Sequence, residues 1–416
     1  MNPFTQTPRP IDEFTRNWQE LYPKSYAKMD INPFTRLRVI LMNGTEFEAT
    51  FFSHQFQRNC PSNDLRRALA ETRRQEQQQQ KTISCLKPID ENVLEHTIGY
   101  EQLAVELTAI LAQREPDPYV KAALDFALLE DFDHLYRYAD LMDLEGSGKA
   151  ELYVGGYTEI MPGRPTIAHH RHPFDSVRRF TNFMQAHPLT KLDVSIITAA
   201  EQQTMNYYMN NACFYTSDLG RNLYQEIAQV EEQHVTHYGS LLDPNRTWLE
   251  NLLLHEYTEC YLYYSCSQDE CDPTVKPLWD YFYEMEVAHL HQAAQLLQQY
   301  EGKDWQQVIP NGEFPLLLAF KGNKDYVRQV LQNTVENTAY CEQYLPVQNL
   351  PADSRFSQYQ LKVNPTPEVE PGHLVIQADI QQNAQDYRCE DSPNPIPALR
   401  DRTQDNTSVG RPSQLR

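Results

Sequence analysis

The chain lacks the sequence features of disulfide-rich, membrane and nucleic-acid-binding proteins. None of its eight cysteines forms a C-x-x-C pair, which argues against a rubredoxin-like or zinc-ribbon module and favours scattered thiols in a reducing compartment. No stretch holds eighteen uninterrupted apolar residues, and Met1 to Glu13 lacks the basic-then-apolar order of a signal peptide. Basic residues are outnumbered, 36 against 57 acidic ones, and the net charge of −21 argues against binding nucleic acid or an anionic membrane. We therefore expect a soluble cytoplasmic protein.

The chain does contain a repeated arrangement of acidic residues and histidines. Glu201 is followed thirty positions later by Glu231, and His234 stands three positions beyond it. Residues three apart share one face of an α-helix, so this spacing is typical of a helical hairpin that directs three side chains to one place. The same spacing occurs in two further sets: Glu101, Asp131 and His134, and Glu256, Glu286 and His289. The sequence therefore predicts three copies of one helical hairpin.

Hydrophobic periodicity supports helices around these motifs. Leu124, Leu128 and Leu135 recur at close to a 3.6-residue period, and Asp131 lies within their stripe. An ionised carboxylate in an apolar stripe costs several kcal/mol unless it is paired or coordinated, which points to metal ligands. We predict an all-α domain over residues 91–345. Its helical pairs are 91–112 with 118–142, 193–215 with 218–242, and 247–266 with 273–300, followed by one more helix over 325–344.

The N-terminal region, residues 1–90, gives a different signal. Two apolar-rich runs, 36–42 and 45–52, flank Asn43-Gly44. Asn-Gly between such runs is a strong short-range signal for a β-hairpin. We therefore predict an N-terminal arm that contains a small β-hairpin.

Two further segments are polar and weakly periodic. Residues 63–81 are rich in charge and glutamine, and we predict a solvated helix or linker there. Residues 346–416 gain proline, glutamine and asparagine and lose periodicity, so we predict a mostly disordered tail with a short strand at 374–376.

A glutamate from one helix and a Glu-x-x-His motif from its neighbour, supplied twice, resembles the metal centre of the ferritin-like di-iron and di-manganese carboxylate bundles. The resemblance covers residues 91–300. It implies that four carboxylates and two neutral imidazoles bind two iron ions, with manganese as the alternative. It also implies an oxidoreductase that activates dioxygen or peroxide, with an external electron donor and a small-molecule substrate. Competing interpretations are a protein that stores iron or detoxifies peroxide, and a helical scaffold with vestigial ligands.

A binuclear site needs two hairpins, and the chain has three. The second hairpin belongs to the site in either obvious pairing. The long connection over 144–188 can cross a bundle and favours pairing it with the first, whereas the shorter side chain of Asp131 favours the third. A second site, or a site completed across a homodimer, stays open. Further carboxylates near the motifs are Glu130, a candidate substitute for Asp131, and the spare Glu232 and Glu259.

Two other groups of residues have both a functional and a structural interpretation. The run His169-His170-Arg171-His172 could ligate a metal, but surface histidines or a basic patch for a partner is the favoured interpretation. Aromatic residues near the motifs could line a substrate pocket or carry electrons, but packing in the core is favoured; they are Tyr100, Tyr136, Tyr207, Tyr208, Tyr257 and Phe282.

Overall fold

A computed structural model describes residues 1–384 and 386–388 and shows a mostly helical chain, which confirms the predicted helical class. Two short strands, β1 (Asn337–Tyr340) and β2 (Gln343–Pro346), form an antiparallel pair. The α-helices of the described residues are α1 (Pro33–Asn59), α2 (Asn63–Ser84), α3 (Val93–Arg114), α4 (Pro118–Leu144), α5 (Ala150–Tyr153), α6 (Thr166–His169), α7 (Pro188–Ala212), α8 (Asp218–Gly239), α9 (Trp248–Asp269), α10 (Lys276–Glu301), α11 (Lys324–Thr334), α12 (Arg355–Val363) and α13 (Pro371–Asn383).

Local sequence signals set where the long helices begin. Asn92 and Glu95 form a capping box at the start of α3, and Thr247 and Glu250 form another at the start of α9. These reciprocal bonds satisfy backbone N–H groups that have no partner within the helix. Asp117 caps α4, which has proline in its first turn, where the missing N–H is not needed.

The chain divides into two compact units. The first unit comprises Met1–Asp90, Thr181–Ala200 and Asp243–Phe320, and contains α1, α2, α9 and α10. The second unit comprises Glu91–Phe180, Glu201–Leu242 and Lys321–Arg416, and contains α3, α4, α8 and α11 to α13. The division falls within α7, between Ala200 and Glu201. In the described part of the chain, no helix has the length and apolarity needed to cross a bilayer.

The predicted β-hairpin at Asn43-Gly44 is wrong, because both residues lie inside α1. Asn32 caps this helix and Pro33 occupies its first turn, so the start signal for a helix precedes the Asn-Gly pair. The run from Leu37 to Met42 is buried on every side, and an apolar run of that kind cannot be assigned to a strand or a helix by its periodicity. Packing in the first unit outweighs the cost of about 1 kcal/mol for an interior glycine.

The C-terminal prediction is also wrong over the described residues. α12 and α13 lie within the region predicted to be disordered, and the predicted strand at 374–376 is part of α13. α13 packs against α4 and α8 in the second unit. The helix predicted over 325–344 ends at Thr334 and gives way to the two strands. Residues 389–416 of the predicted tail lie outside the described residues.

Candidate metal centre

Four helices bring six of the predicted ligands together in the second unit. α3 carries Glu101 and α7 carries Glu201, while α4 and α8 each carry an acidic residue and a histidine one turn apart. All six side chains are buried, with at most 2% of their surface exposed. We call this group the six-residue centre; its members are Glu101, Asp131, His134, Glu201, Glu231 and His234.

The donor atoms of the six-residue centre form two overlapping sets. In each set the donor atoms lie within 4.8 Å of one another. Asp131 and Glu231 belong to both sets, so one carboxylate from each hairpin lies between the two. A carboxylate has two oxygens and can contact two ions, so this overlap suits a pair of metal ions with two shared ligands. The sets are Glu101, Asp131, His134 and Glu231, and Asp131, Glu201, Glu231 and His234.

The carboxylates of this centre lack the cationic partners that buried acids ordinarily have. Among the described residues, no lysine or arginine forms an ion pair with them, and only histidines lie within ion-pair distance. One oxygen of Glu101 and both oxygens of Asp131 and Glu201 accept no hydrogen bond. Buried polar atoms without partners are rare and costly. These atoms are therefore candidate metal donors.

Hydrogen bonds orient His234 so that Nδ1 faces the carboxylates. Its Nε2 lies 2.7 Å from Glu130 Oε2, and a carboxylate can only accept, so Nε2 donates. Nδ1 then lies 3.2 Å from Asp131 Oδ1 and 3.2 Å from Glu231 Oε2. His134 also places its Nδ1 beside the carboxylates, 3.0 Å from Glu231 Oε1, but its Nε2 is buried without a hydrogen-bond partner. A fixed imidazole that presents one nitrogen is the usual form of a histidine ligand.

The protonation of the centre reflects crowded acids in a dry interior. Burial and repulsion from neighbouring carboxylates raise the pKa of Glu101 and Glu201 well above the ordinary value. Burial would also raise the pKa of Glu231, but close contacts with His134 and His234 lower it to about 2. Burial opposes the charged form of His234, but Asp131, Glu130 and Glu201 outweigh it and raise its pKa well above the usual range. A divalent cation would supply the positive charge that protons supply in this state.

Glu130 supports the centre from outside it and does not replace Asp131. Arg171 Nη1 lies 2.8 Å and 3.1 Å from the two oxygens of Glu130, and Arg164 Nη1 lies 3.5 Å away. Burial alone would raise the pKa of Glu130, but these arginines and His234 hold it well below the usual range. The prediction that the histidine-rich run lies at the surface is wrong, since His169 and Arg171 are 1% and 0% exposed. Within the run, Arg171 forms a buried ion pair with Glu130, and His172 is half-buried.

Arg171→Met should destabilise the second unit by about 3–5 kcal/mol, because it removes the closest arginine from the buried charge of Glu130 and leaves only the His234 hydrogen bond and Arg164 at 3.5 Å. Chemical denaturation of the metal-free protein measures this. Arg221→Met is the matched control, because Arg221 is exposed on α8. The denaturation midpoint of this control variant should equal that of the unaltered protein. Equal midpoints for both variants would show that Arg171 does not stabilise Glu130.

The third predicted hairpin lies apart from the other two. Glu256, Glu286 and His289 belong to the first unit, together with Glu46 and Glu76 of α1 and α2. The structure therefore joins the first hairpin to the second within one unit and gives the third a different partner.

Sequence reasoning missed the partner hairpin, although its spacing was visible. Glu76 follows Glu46 by thirty positions, and Gln79 follows Glu76 by three. Glutamine stands where the other hairpins have histidine, so a search for Glu-x-x-His passes over it. The β-hairpin predicted across Asn43-Gly44 also placed Glu46 in a strand, so its helical spacing to Glu76 was not recognised.

Comparisons with known proteins add no relative from which a function could be transferred. No protein-family model matches the chain, and neither curated proteins nor solved structures give a significant match. The functional argument therefore rests on the side chains and their geometry.

Proposed function

We propose that this protein is a metal-dependent oxidoreductase of the ferritin-like carboxylate type, with two divalent ions bound at the six-residue centre. The observation that carries the proposal is the pair of overlapping donor sets that share Asp131 and Glu231. Both shared residues come from the helices that also carry the histidines, as in bundles that bind two metals with paired Glu-x-x-His motifs.

The donor chemistry favours iron, with manganese as the alternative. Four ionised carboxylates carry four negative charges and neutralise two divalent ions. Oxygen donors with imidazole suit iron and manganese better than soft, thiolate-binding metals. In the described residues, no cysteine belongs to either donor set.

The surrounding residues would hold the ligands and keep water out. Glu130 fixes the ring of His234, and Tyr208 donates a 2.5 Å hydrogen bond to Glu101 Oε1, which leaves Oε2 of that glutamate for a metal. Such supporting bonds fix ligand geometry. Bound metals of this class supply electrons to dioxygen or peroxide. The burial of all six ligands shields that chemistry from bulk water.

A row of tyrosines favours redox chemistry over simple storage. The ring of Tyr208 lies 5.7 Å from that of Tyr224, which lies 4.9 Å from the half-buried Tyr215. Tyr138 lies 5.3 Å from Tyr208 on the other side. These rings form a continuous path between Glu101 and the surface of the second unit. An external electron donor acting at Tyr215 could supply the centre along this path.

Anaerobic loading with ferrous iron, followed by mixing with oxygen or hydrogen peroxide, tests the proposal. We expect about two iron ions per second unit, as in paired-motif bundles. We also expect rapid oxidation of the bound ferrous iron, measured by the change in absorbance. Uptake of many more ions per chain would support the alternative, an iron-storage protein. Absence of bound iron at the six-residue centre would reject both and leave a helical scaffold.

A further inference from the structure

The first unit contains a second cluster of buried acids that is built like the six-residue centre. α1 and α2 face α9 and α10, and each of these helices contributes at least one acidic residue. None of the side chains is more than 3% exposed. We call this group the oxygen-rich cluster; its members are Glu46, Glu76, Gln79, Glu256, Glu259, Glu286 and His289.

The donor atoms of the oxygen-rich cluster also converge. Glu76, Glu256 and His289 form one set whose donor atoms lie within 4.8 Å of one another, and Glu256, Glu259 and Glu286 form a second. Glu256 is common to both sets. The cluster therefore has the overlapping arrangement that suits a cation bound on either side of a shared carboxylate.

Unpartnered atoms point into this cluster. Both oxygens of Glu259, and one oxygen each of Glu46, Glu76 and Glu256, accept no hydrogen bond, and Oε1 of Gln79 is also without a partner. Within the described residues, none of these acids forms an ion pair with lysine or arginine; the only partner within ion-pair distance is His289. Burying several unpaired carboxylates in one place costs several kcal/mol each unless they bind protons or a cation.

The supporting contacts repeat those of the second unit position by position. Tyr263 stands seven residues after Glu256 and donates a 2.5 Å hydrogen bond to Glu46, as Tyr208 stands seven residues after Glu201 and donates to Glu101. These bonds leave the second oxygen of each acceptor glutamate without a partner.

The histidine of the cluster is also held in the same way as its counterpart. His289 Nε2 lies 3.0 Å from Oε1 of Gln75, the residue before Glu76, and His234 Nε2 bonds Glu130, the residue before Asp131. Nδ1 of His289 consequently faces Glu286 Oε2 at 3.2 Å. Such bonds orient metal-binding histidines, and nothing in an ordinary helical core requires them at matching positions.

We propose that the oxygen-rich cluster is a second metal site, which binds divalent cations through more oxygen donors than the six-residue centre and prefers manganese. Gln79 occupies the position of His134, so one imidazole is replaced by an amide, and Glu259 adds a carboxylate. Carboxylate and carbonyl oxygens suit manganese and magnesium, whereas imidazole shifts preference toward iron and zinc. This site is independent of the function proposed for the second unit.

Manganese titration of the full-length, metal-free protein tests the proposal. The parent for this experiment carries Glu231→Ala and His234→Ala, so the six-residue centre cannot contribute. We expect this parent to bind Mn²⁺ with an electron paramagnetic resonance signal distinct from that of the free ion. Adding Glu76→Ala and His289→Ala should abolish that binding. Adding Glu284→Ala, which changes an exposed acid on α10, should not alter it.

Unchanged Mn²⁺ binding after Glu76→Ala and His289→Ala, or no binding by the parent, would overturn the proposal. Because loss of binding could reflect unfolding, a second variant tests for a gain. Gln79→His restores the second imidazole and should shift the preference of the first unit from Mn²⁺ toward Fe²⁺ or Zn²⁺ in competition experiments. No shift in a folded Gln79→His variant would equally overturn it. Failure of the six-residue centre to bind metal would leave these readouts unaffected.

Discussion

If the six-residue centre binds two metal ions as proposed, Glu231→Ala should remove both, an effect that only a substitution of Asp131, the other shared donor, should match. Glu231 belongs to both donor sets, so its loss takes a ligand from each ion, and it also leaves His134 without its 3.0 Å contact. We expect elemental analysis of the iron-loaded protein to show about two fewer ions per chain, as a paired-motif centre implies. Iron-dependent oxygen consumption should disappear with them.

The neighbouring residue provides the matched control for this experiment. Glu232 is exposed on the same helix, and Glu232→Ala should retain the full metal content. His134→Ala and His234→Ala each touch one donor set, so each should weaken one ion, and to a similar degree. If Glu231→Ala keeps its iron, the six-residue centre is not a metal site and the proposed oxidoreductase has no basis.

Deleting residues 365–416 should destabilise the second unit by more than any substitution considered above. The deletion removes α13 and also Arg388, which pairs with Asp140 at 3.0 Å and with Glu151 at 2.7 Å. These two carboxylates are buried, and removing their cation costs about 3–5 kcal/mol before the loss of packing is counted. The midpoint of thermal unfolding should fall by roughly 10 °C or more.

Truncation after Arg388 separates this effect from loss of chain length. It keeps α13, the Arg388 ion pairs and the hydrogen bond from Tyr136 to Asp386. Calorimetry should therefore give a clearly higher unfolding midpoint for this truncation than for the deletion of residues 365–416. Equal midpoints for the two truncations would show that α13 and Arg388 do not stabilise the unit, as the prediction of a disordered tail implies.

The sequence predicted the helices well where the physical signals are local. Periodic apolar residues, caps and turn prolines placed α3, α4, α8 and α10 close to their observed bounds. The predictions of secondary structure failed where contacts between residues distant in sequence determine the conformation. Asn43-Gly44 carries a local hairpin signal, but packing in the first unit holds it in a helix. α13 has a polar, proline-flanked sequence, yet it packs against α4 and α8.

For the candidate site, too, the local features could be predicted and the contacts between residues distant in sequence could not. Fixed spacing on helices predicted that Glu231 and His234 share a face, and the structure places them beside Asp131. Which acids would be neutralised by arginine could not be predicted, because Arg171 reaches Glu130 from forty-one positions away. The role of Gln79 was missed for a different reason. It stands three residues after Glu76, where the Glu-x-x-His motif has histidine, so the spacing is present but the histidine is not.

The order of the four hairpins along the chain has a consequence for biosynthesis. The six-residue centre of the second unit takes its residues from the two inner hairpins, between Glu101 and His234, and the oxygen-rich cluster of the first unit takes its residues from the two outer ones, between Glu46 and His289. A ribosome therefore completes the inner ligand set while α1 and α2 still lack α9 and α10. Because domains tend to fold as units during synthesis, however, the first unit, which is complete at Phe320, can close before the second unit, which still needs α11 to α13.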